Sequence, residues 1–184
     1  MKKLTNIKYK DETKHILIVG QKNETMTELK ELYSKQKKKN TSAKFIIQDT
    51  SAKFIEQFYN EKTDYIYDHL NSKIDIIKWL KSESQSTIFI SKDIESSDFI
   101  DSFIDIVLKG KENWDRRIYL YLTNIEKMNK ISTLEKSLII GRAYGLSVIV
   151  NIENINDLKT HGEYNTIINN FSNKVILNNS IGKA

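Results

Sequence analysis

Hydrophobic residues in this chain fall into short continuous runs separated by longer stretches of mixed character. The runs "HILIVG", "AKFIIQD", "RRIYLYLTNI", "SVIVNIE" and "NKVILNN" have strand length, and continuous runs are typical of parallel strands buried on both faces. Between them, apolar residues recur every three or four positions, which predicts amphipathic helices. Strands that alternate with helices predict an α/β fold, in which helices cover both faces of a mainly parallel sheet of five strands or more.

Helix boundaries can be placed from capping residues and glycines. The first helix carries Met26, Leu29 and Leu32 on its apolar stripe, and Thr25 or Thr27 is expected to begin it. The run "DYIYDH" fits a short strand, whereas "KIDIIKWL" fits either a helical turn or a strand, because short apolar runs have no decisive period.

We expect one compact domain over residues 1–184, because the chain has 39% hydrophobic residues and no proline-rich or repetitive linker. Residues 1–13 are expected to form a flexible N-terminus. Residues 82–98, which begin with the polar stretch "SESQS", are expected to form a connector. No apolar run approaches the roughly 20 residues that span a bilayer, and no signal peptide is apparent, so we expect a cytoplasmic protein.

The chain has no cysteine and a formal net charge of +5, which excludes disulfides and thiolate chemistry and raises the question of polyanion binding. Only three of its 29 basic residues are arginine, the side chain that best reads guanine edges and phosphates. The one basic cluster consists of Lys35, Lys37, Lys38 and Lys39. These lysines form either a solvated surface at a helix end or a sequence-independent polyanion contact.

Other candidate chemistry is sparse. The three histidines are scattered without neighbouring ligands at metal-binding spacing, so no metal site is expected. No G-x-S-x-G nucleophile elbow occurs. Asp49, at the end of a predicted strand, is either a functional residue or a turn residue.

The order of these segments resembles the nucleotide-binding domain of type IV secretion coupling proteins, the TraD-like conjugative DNA pumps, which are hexameric ATPases of the RecA-like group. The resemblance lies in the strand, octet and helix at residues 15–32, in "GRAYGL" with Gly141, Arg142 and Gly145, and in the asparagine-rich helix before "NKVIL". It implies a three-layer, P-loop NTPase-like fold. It also implies that residues 82–98 replace a larger helical insertion, and that Arg142 is an inherited subunit-interface arginine. The position of Arg142 shortly before a glycine allows an alternative, in which it complements the C-terminal end of the helix dipole or forms a surface ion pair.

In that family the octet after the first strand binds ATP phosphates, and its pattern is G-x-x-x-x-G-K-[ST]. Here the octet reads "GQKNETMT", so Gly20 and Thr27 remain while Thr25 replaces the second glycine and Met26 replaces the phosphate-binding lysine. Lys22 is the one cation left in the octet, at a different position. We therefore expect these residues to be only a vestige of a nucleotide site.

The remaining family positions have also changed. Thr123 and Asn124 stand where the resemblance implies an acidic pair for magnesium and water, and Glu153 stands at the γ-phosphate sensor position. We expect no ATP or magnesium binding and no ATPase activity. The change Met26→Lys with Thr25→Gly is expected to restore nucleotide binding only in part, because the magnesium site would still be missing.

Two functions remain open from the sequence. The first is a non-catalytic binding or regulatory module whose partner is a coupling ATPase, another secretion component or further copies of the chain. The alternative is a lysine-rich protein that binds DNA without sequence preference, or binds nucleotides weakly.

Overall fold

Seven strands form a single parallel sheet in the computed structural model, which describes residues 14–49, 51–68, 74–91, 96–113 and 115–177. Every strand pairing between described residues is parallel, and the spatial order is β3-β4-β2-β5-β6-β1-β7. The strands are β1 (Ile16–Val19), β2 (Lys44–Gln48), β3 (Tyr65–Tyr67), β4 (Ser86–Ile90), β5 (Ile118–Leu122), β6 (Leu146–Ile152) and β7 (Asn173–Ile176). The predicted sheet of five strands or more is confirmed.

Helices connect these strands and cover both faces of the sheet. The α-helices are α1 (Lys22–Lys39), α2 (Lys53–Phe58), α3 (Ile76–Lys81), α4 (Ser96–Leu108), α5 (Leu134–Ile140) and α6 (Tyr164–Asn170). Within the described residues, 3-10 helices lie at Ile125–Lys127, Gly141–Tyr144 and Ile155–Thr160. Among the described residues, no helix combines the length and apolar character needed to cross a membrane.

Two apolar cores hold the three layers together. Met26, Leu29 and Tyr33 of α1 and Phe54 of α2 pack on one face of the sheet. The other core takes residues from α3, α4, α5 and α6. Since neighbouring side chains of a strand point to opposite faces, the continuous apolar runs of the central strands supply both cores.

Tyrosine hydroxyls on the first of these faces fix α1 to the sheet. Tyr121 donates to the Gln36 side chain at 2.5 Å, and the Tyr33 hydroxyl lies 2.8 Å from the Thr87 hydroxyl. Lys37 donates to the Tyr33 hydroxyl, and its ammonium lies 3.6 Å from the fully buried carboxylate of Asp64. These contacts fix the position of α1, because a shift of the helix would leave buried polar groups without partners and would destabilise the fold.

The prediction of a connector over residues 82–98 is wrong. This segment contains β4, which is completely buried between β3 and β2, and the start of α4. Polar flanks on both sides of "TIFI" obscured a short strand that is buried on both faces. The run "DYIYDH" contains β3 as predicted, "KIDIIKWL" contains the helix α3, and residues 1–13 lie outside the described residues.

The expected start of the first helix at Thr25 or Thr27 is also wrong, because α1 begins at Lys22. Thr27 lies in the second turn, where its hydroxyl donates to the carbonyl oxygen of Asn23 at 3.0 Å. A threonine in the helix interior commonly satisfies its hydroxyl in this way, and it caps nothing.

Candidate functional site

Four adjacent strands end at the edge where parallel α/β sheets bind ligands. In the order β2, β5, β6, β1, they are followed by Asp49, by Thr123 and Asn124, by Glu153, and by Gly20. The structure therefore brings most of the predicted site residues to one edge, although they are up to 133 positions apart in the sequence.

The octet that resembles a P-loop is mostly helical. Only Gly20 and Gln21 separate β1 from α1, and the N–H groups of Glu24 and Thr25 both donate to the Gln21 carbonyl oxygen, at 3.1 and 3.0 Å. A phosphate-binding loop instead turns successive backbone N–H groups toward the ligand. Here the helix uses those donors itself.

Gly20 is held against the end of the last strand. A Cβ atom at this position would lie 2.9 Å from the Cβ of Leu177 and 3.2 Å from its carbonyl oxygen. The Gly20 N–H donates to the Ile152 carbonyl oxygen at 3.0 Å. This close approach explains the glycine by packing within the chain, with no need for a phosphate above it.

Thr25 and Met26 point into the protein. Thr25 is fully buried, and its hydroxyl donates to the Lys22 carbonyl oxygen and accepts a hydrogen bond from the Asn151 amide at 3.0 Å. Met26 is 3% exposed and belongs to the core beneath α1. The residue at the position that the resemblance assigns to the phosphate-binding lysine is thus part of the hydrophobic core.

Glu153 lies at the N-terminus of α1. One of its carboxylate oxygens accepts a hydrogen bond from the backbone N–H of Lys22 at 3.2 Å. A carboxylate here stabilises the free N–H groups and the positive end of the helix dipole, as an external anion would. The chain therefore supplies its own anion at the helix end that could attract a phosphate.

Thr123 and Asn124 are buried and hydrogen-bonded within the protein. The Thr123 hydroxyl donates to the Gln48 carbonyl oxygen at 2.6 Å. Asn124 has a left-handed backbone with φ of 53°, which asparagine adopts more readily than most residues. Two further polar groups at this edge, Gln48 Nε2 and Asn151 Oδ1, are buried without a hydrogen-bond partner among the described residues. Sequence analysis missed both, because nothing distinguishes them within apolar strands.

Asp49 is a structural residue of the loop before α2. Its carboxylate accepts hydrogen bonds from the N–H groups of Phe54 and Ile55, at 2.6 and 3.1 Å, and from the Ser51 hydroxyl. The sequence left open whether Asp49 is a functional residue or a turn residue. These contacts support its role as a turn residue, because they occupy both carboxylate oxygens.

Two of the histidines serve as buried hydrogen-bond acceptors. Burial, together with the nearby Arg142 charge, lowers the pKa of His15 to about 4, and its Nδ1 accepts from the Val148 N–H at 3.0 Å. Burial likewise lowers the pKa of His161, whose Nδ1 accepts from the Ile131 N–H. Both rings are therefore neutral at pH 7. Among the described residues, no three acidic, histidine or cysteine side chains cluster as metal ligands would.

Arg142 lies in the 3-10 helix Gly141–Tyr144, half-buried, with its Nε atom buried. Gly145, which directly follows this helix, has a left-handed backbone with φ of 78° and ends it. The exposed side chains of Ile139 and Ile140 precede it on α5.

The predicted lysine cluster divides in the structure. Lys37 is engaged by Tyr33 and Asp64, whereas Lys35 and Lys38 line a groove of about 630 Å³ between α1 and α2, and Lys39 is exposed at the end of α1. Lys30, which sequence analysis missed, lines the same groove. Lys30 and Lys38 are eight residues apart in α1, a spacing that places both on the same face of a helix. This spacing could have indicated that Lys30 shares the groove.

Comparison with known proteins gives a consistent result. A family model described as the type IV secretion-system coupling protein DNA-binding domain matches residues 66–183. A search of curated proteins found no match.

Solved structures with a similar fold include three of coupling proteins. The bacterial conjugative coupling protein TrwBdeltaN70, in its unbound monoclinic form, has a TM-score of 0.74 at 13% identity, covering 89% of this chain and 68% of that one. Its trigonal form in complex with sulphate has a TM-score of 0.71 at 11% identity, covering 91% and 71%.

The plasmid coupling protein TrwB in complex with the non-hydrolysable GTP analogue GDPNP has a TM-score of 0.68 at 12% identity, covering 88% of this chain and 69% of that one. At such identities the structures show the shared P-loop NTPase-like fold, while the family model covers more than half of the chain. The resemblance stated from the sequence is confirmed, and the chain belongs to the family of type IV secretion-system coupling protein DNA-binding domains.

Proposed function

We propose that this chain is a non-catalytic member of its family that acts as a binding or regulatory module of a type IV secretion or DNA-transfer machine. The observation that carries the proposal is the start of α1 at Lys22, only two residues after β1. A helix that begins there leaves no loop to surround a triphosphate, and Met26 is in the core.

Electrostatics support the loss of nucleotide binding. The Glu153 carboxylate lies where phosphate oxygens would approach the N–H groups of α1. Two like charges about 4 Å apart repel by roughly 4 kcal/mol at an effective dielectric of 20, and a triphosphate carries several charges. Lys22 is the one lysine within the octet, and it cannot offset both the triphosphate and Glu153.

Among the described residues, the two positions that the resemblance assigns to the family's acidic pair carry no carboxylate. Thr123 and Asn124 replace the acidic pair expected from the family, and neither side chain can hold Mg²⁺ as a carboxylate does or act as a general base. The Thr123 hydroxyl is already committed to the Gln48 carbonyl oxygen. These differences support a function that depends on binding a macromolecular partner rather than on catalysis.

A protein partner is the favoured ligand of those surfaces. Ile139 and Ile140 are 53% and 36% exposed and lie next to Arg142 at the end of α5. Exposed apolar residues beside an arginine are common at protein interfaces. A coupling ATPase, a secretion component or another copy of this chain would fit such a contact.

DNA binding is the second candidate, and the groove between α1 and α2 favours it. Lys30, Lys35 and Lys38 line this groove together with Phe58, an arrangement that suits a phosphate backbone with an adjacent stacking surface. Glu31 also lines the groove and weakens its positive potential.

Co-sedimentation with an intact coupling ATPase of the same family separates the two candidates. We expect the chain to associate with the ATPase, and we expect the substitution Arg142→Glu to weaken that association at least about tenfold. The matched control Lys38→Glu, also a charge reversal, should leave it unchanged.

The DNA candidate makes the opposite prediction. Retention on DNA at low salt, falling about tenfold or more between 50 and 200 mM salt and lost in Lys38→Glu, would favour it. That result, combined with no association with the ATPase, would contradict the proposed protein-binding role.

A further inference from the structure

A second groove, of about 420 Å³, lies between α3 and the end of α4, away from the edge described above. Ile77, Leu80 and Ile106 form its apolar floor. Four cationic side chains surround this floor, namely Lys81, Lys109, Lys111 and Arg116, and Gly110 completes the lining. We refer to these eight residues as the α3–α4 groove.

The floor of the α3–α4 groove is incompletely covered. Ile77 is 54% exposed, although Leu80 and Ile106 beside it pack against the core of this face. Burying the exposed part of an isoleucine is favourable at about 25 cal/mol per Å² of apolar surface. An apolar side chain of a partner therefore gains free energy by covering this residue.

The charges around the floor are unbalanced. The C-termini of α3 and α4 lie near Lys81 and Lys109. Each helix end contributes about half a negative charge. Asp105 lies 3.7 Å from the Lys109 ammonium and offsets one more positive charge. The lining of the groove itself therefore carries more positive than negative charge.

Arg116 strengthens this imbalance. Its side chain is half-buried, and this burial lowers the pKa of the guanidinium from the usual value. A desolvated guanidinium gains more from a carboxylate partner than an exposed lysine does, and its planar donors suit a bidentate contact. Among the described residues, no acidic side chain lines the groove.

We propose that the α3–α4 groove is a docking site for an acidic amphipathic segment of a partner protein, which inserts apolar side chains over Ile77 and places carboxylates against Lys81, Lys111 and Arg116. Nucleic acid fits less well, because the aliphatic floor of the groove offers, within the described part of the chain, no aromatic side chain on which a base would stack. The groove would serve the binding role proposed above, but its test uses isolated peptides, so that either proposal can fail without the other.

Fluorescence anisotropy with labelled peptides tests this site. The probe is an acidic peptide whose leucines recur at helical spacing, and the matched peptide has glutamine in place of every glutamate. We expect the acidic peptide to bind at least about tenfold more tightly than the glutamine peptide, and to weaken as salt is raised.

Variants locate the binding. Ile77→Asp should weaken the acidic peptide about tenfold or more, because it removes apolar floor and adds a repelling charge. The matched control Ile176→Asp changes another exposed isoleucine, 64% exposed on β7, and should have no effect. Thermal unfolding of both variants checks that each remains folded.

Three results of the peptide titrations would overturn the proposal. These are the absence of peptide binding at millimolar concentration, equal affinity for the acidic and glutamine peptides, and an acidic-peptide affinity that Ile77→Asp leaves unchanged. A competition experiment with DNA gives a further test. If DNA displaces the peptide, and Ile77→Asp weakens DNA binding as much as it weakens peptide binding, the groove is a nucleic-acid site and the proposal is overturned.

Discussion

Replacement of Met26 with lysine is expected to lower the free energy of unfolding by about 3 kcal/mol or more, and to restore no nucleotide binding. Met26 is 3% exposed and packs in the core beneath α1, so the substitution removes apolar contacts and brings an ammonium group into an apolar site. Urea denaturation followed by circular dichroism measures the change.

The control Met26→Leu keeps the volume and the apolar character of the side chain, and should change the free energy of unfolding by less than about 1.5 kcal/mol. From the sequence, Met26→Lys with Thr25→Gly was expected to restore part of the nucleotide affinity. The burial of Met26 in the core changes this expectation, and we now expect no restored binding. A stable double variant that binds Mg-ATP would mean that the first turn of α1 can reopen into a loop.

Substitution of Gly145 with alanine is expected to lower the free energy of unfolding by about 3 kcal/mol, measured in the same way. Its backbone is left-handed, with φ of 78°, and an added Cβ would lie 2.5 Å from the Arg116 carbonyl oxygen. The loop before β5 would have to move away from the start of β6.

Gly141→Ala is the matched control, because both glycines belong to "GRAYGL". An added Cβ at Gly141 would meet the Leu146 side chain at 3.4 Å, an ordinary contact, and φ there is −55°. We expect a change smaller than about 1 kcal/mol. Equal losses in the two variants would refute the assignment of the backbone requirement to Gly145.

Much of the fold could be predicted because continuous apolar runs and helical spacing are local properties of the sequence. The strands β1, β2, β5, β6 and β7 all coincide with predicted runs. The strand β4 was missed for a physical reason: the four residues "TIFI" between Ser86 and Ser91 are too few to show a period that separates a strand from a loop. The start of α1 was misplaced because the octet was aligned with a loop that this chain does not form.

The candidate site was predictable in its composition but not in its contacts. The family resemblance indicated Thr25, Met26, Thr123 and Asn124 as the positions that differ from the expected motif. It could not show that Glu153, 131 positions from Lys22, accepts that residue's N–H, because long-range contacts have no local signature. Nor could it place Leu177 against Gly20.

The most direct test of the account is a calorimetric titration of the unmodified chain with Mg-ATP. The account predicts no measurable binding, with a dissociation constant above about 1 mM, because α1 begins two residues after β1 and Glu153 occupies its N-terminus. A micromolar dissociation constant would contradict it, and would show that the edge of the sheet beside Gly20 still holds a triphosphate.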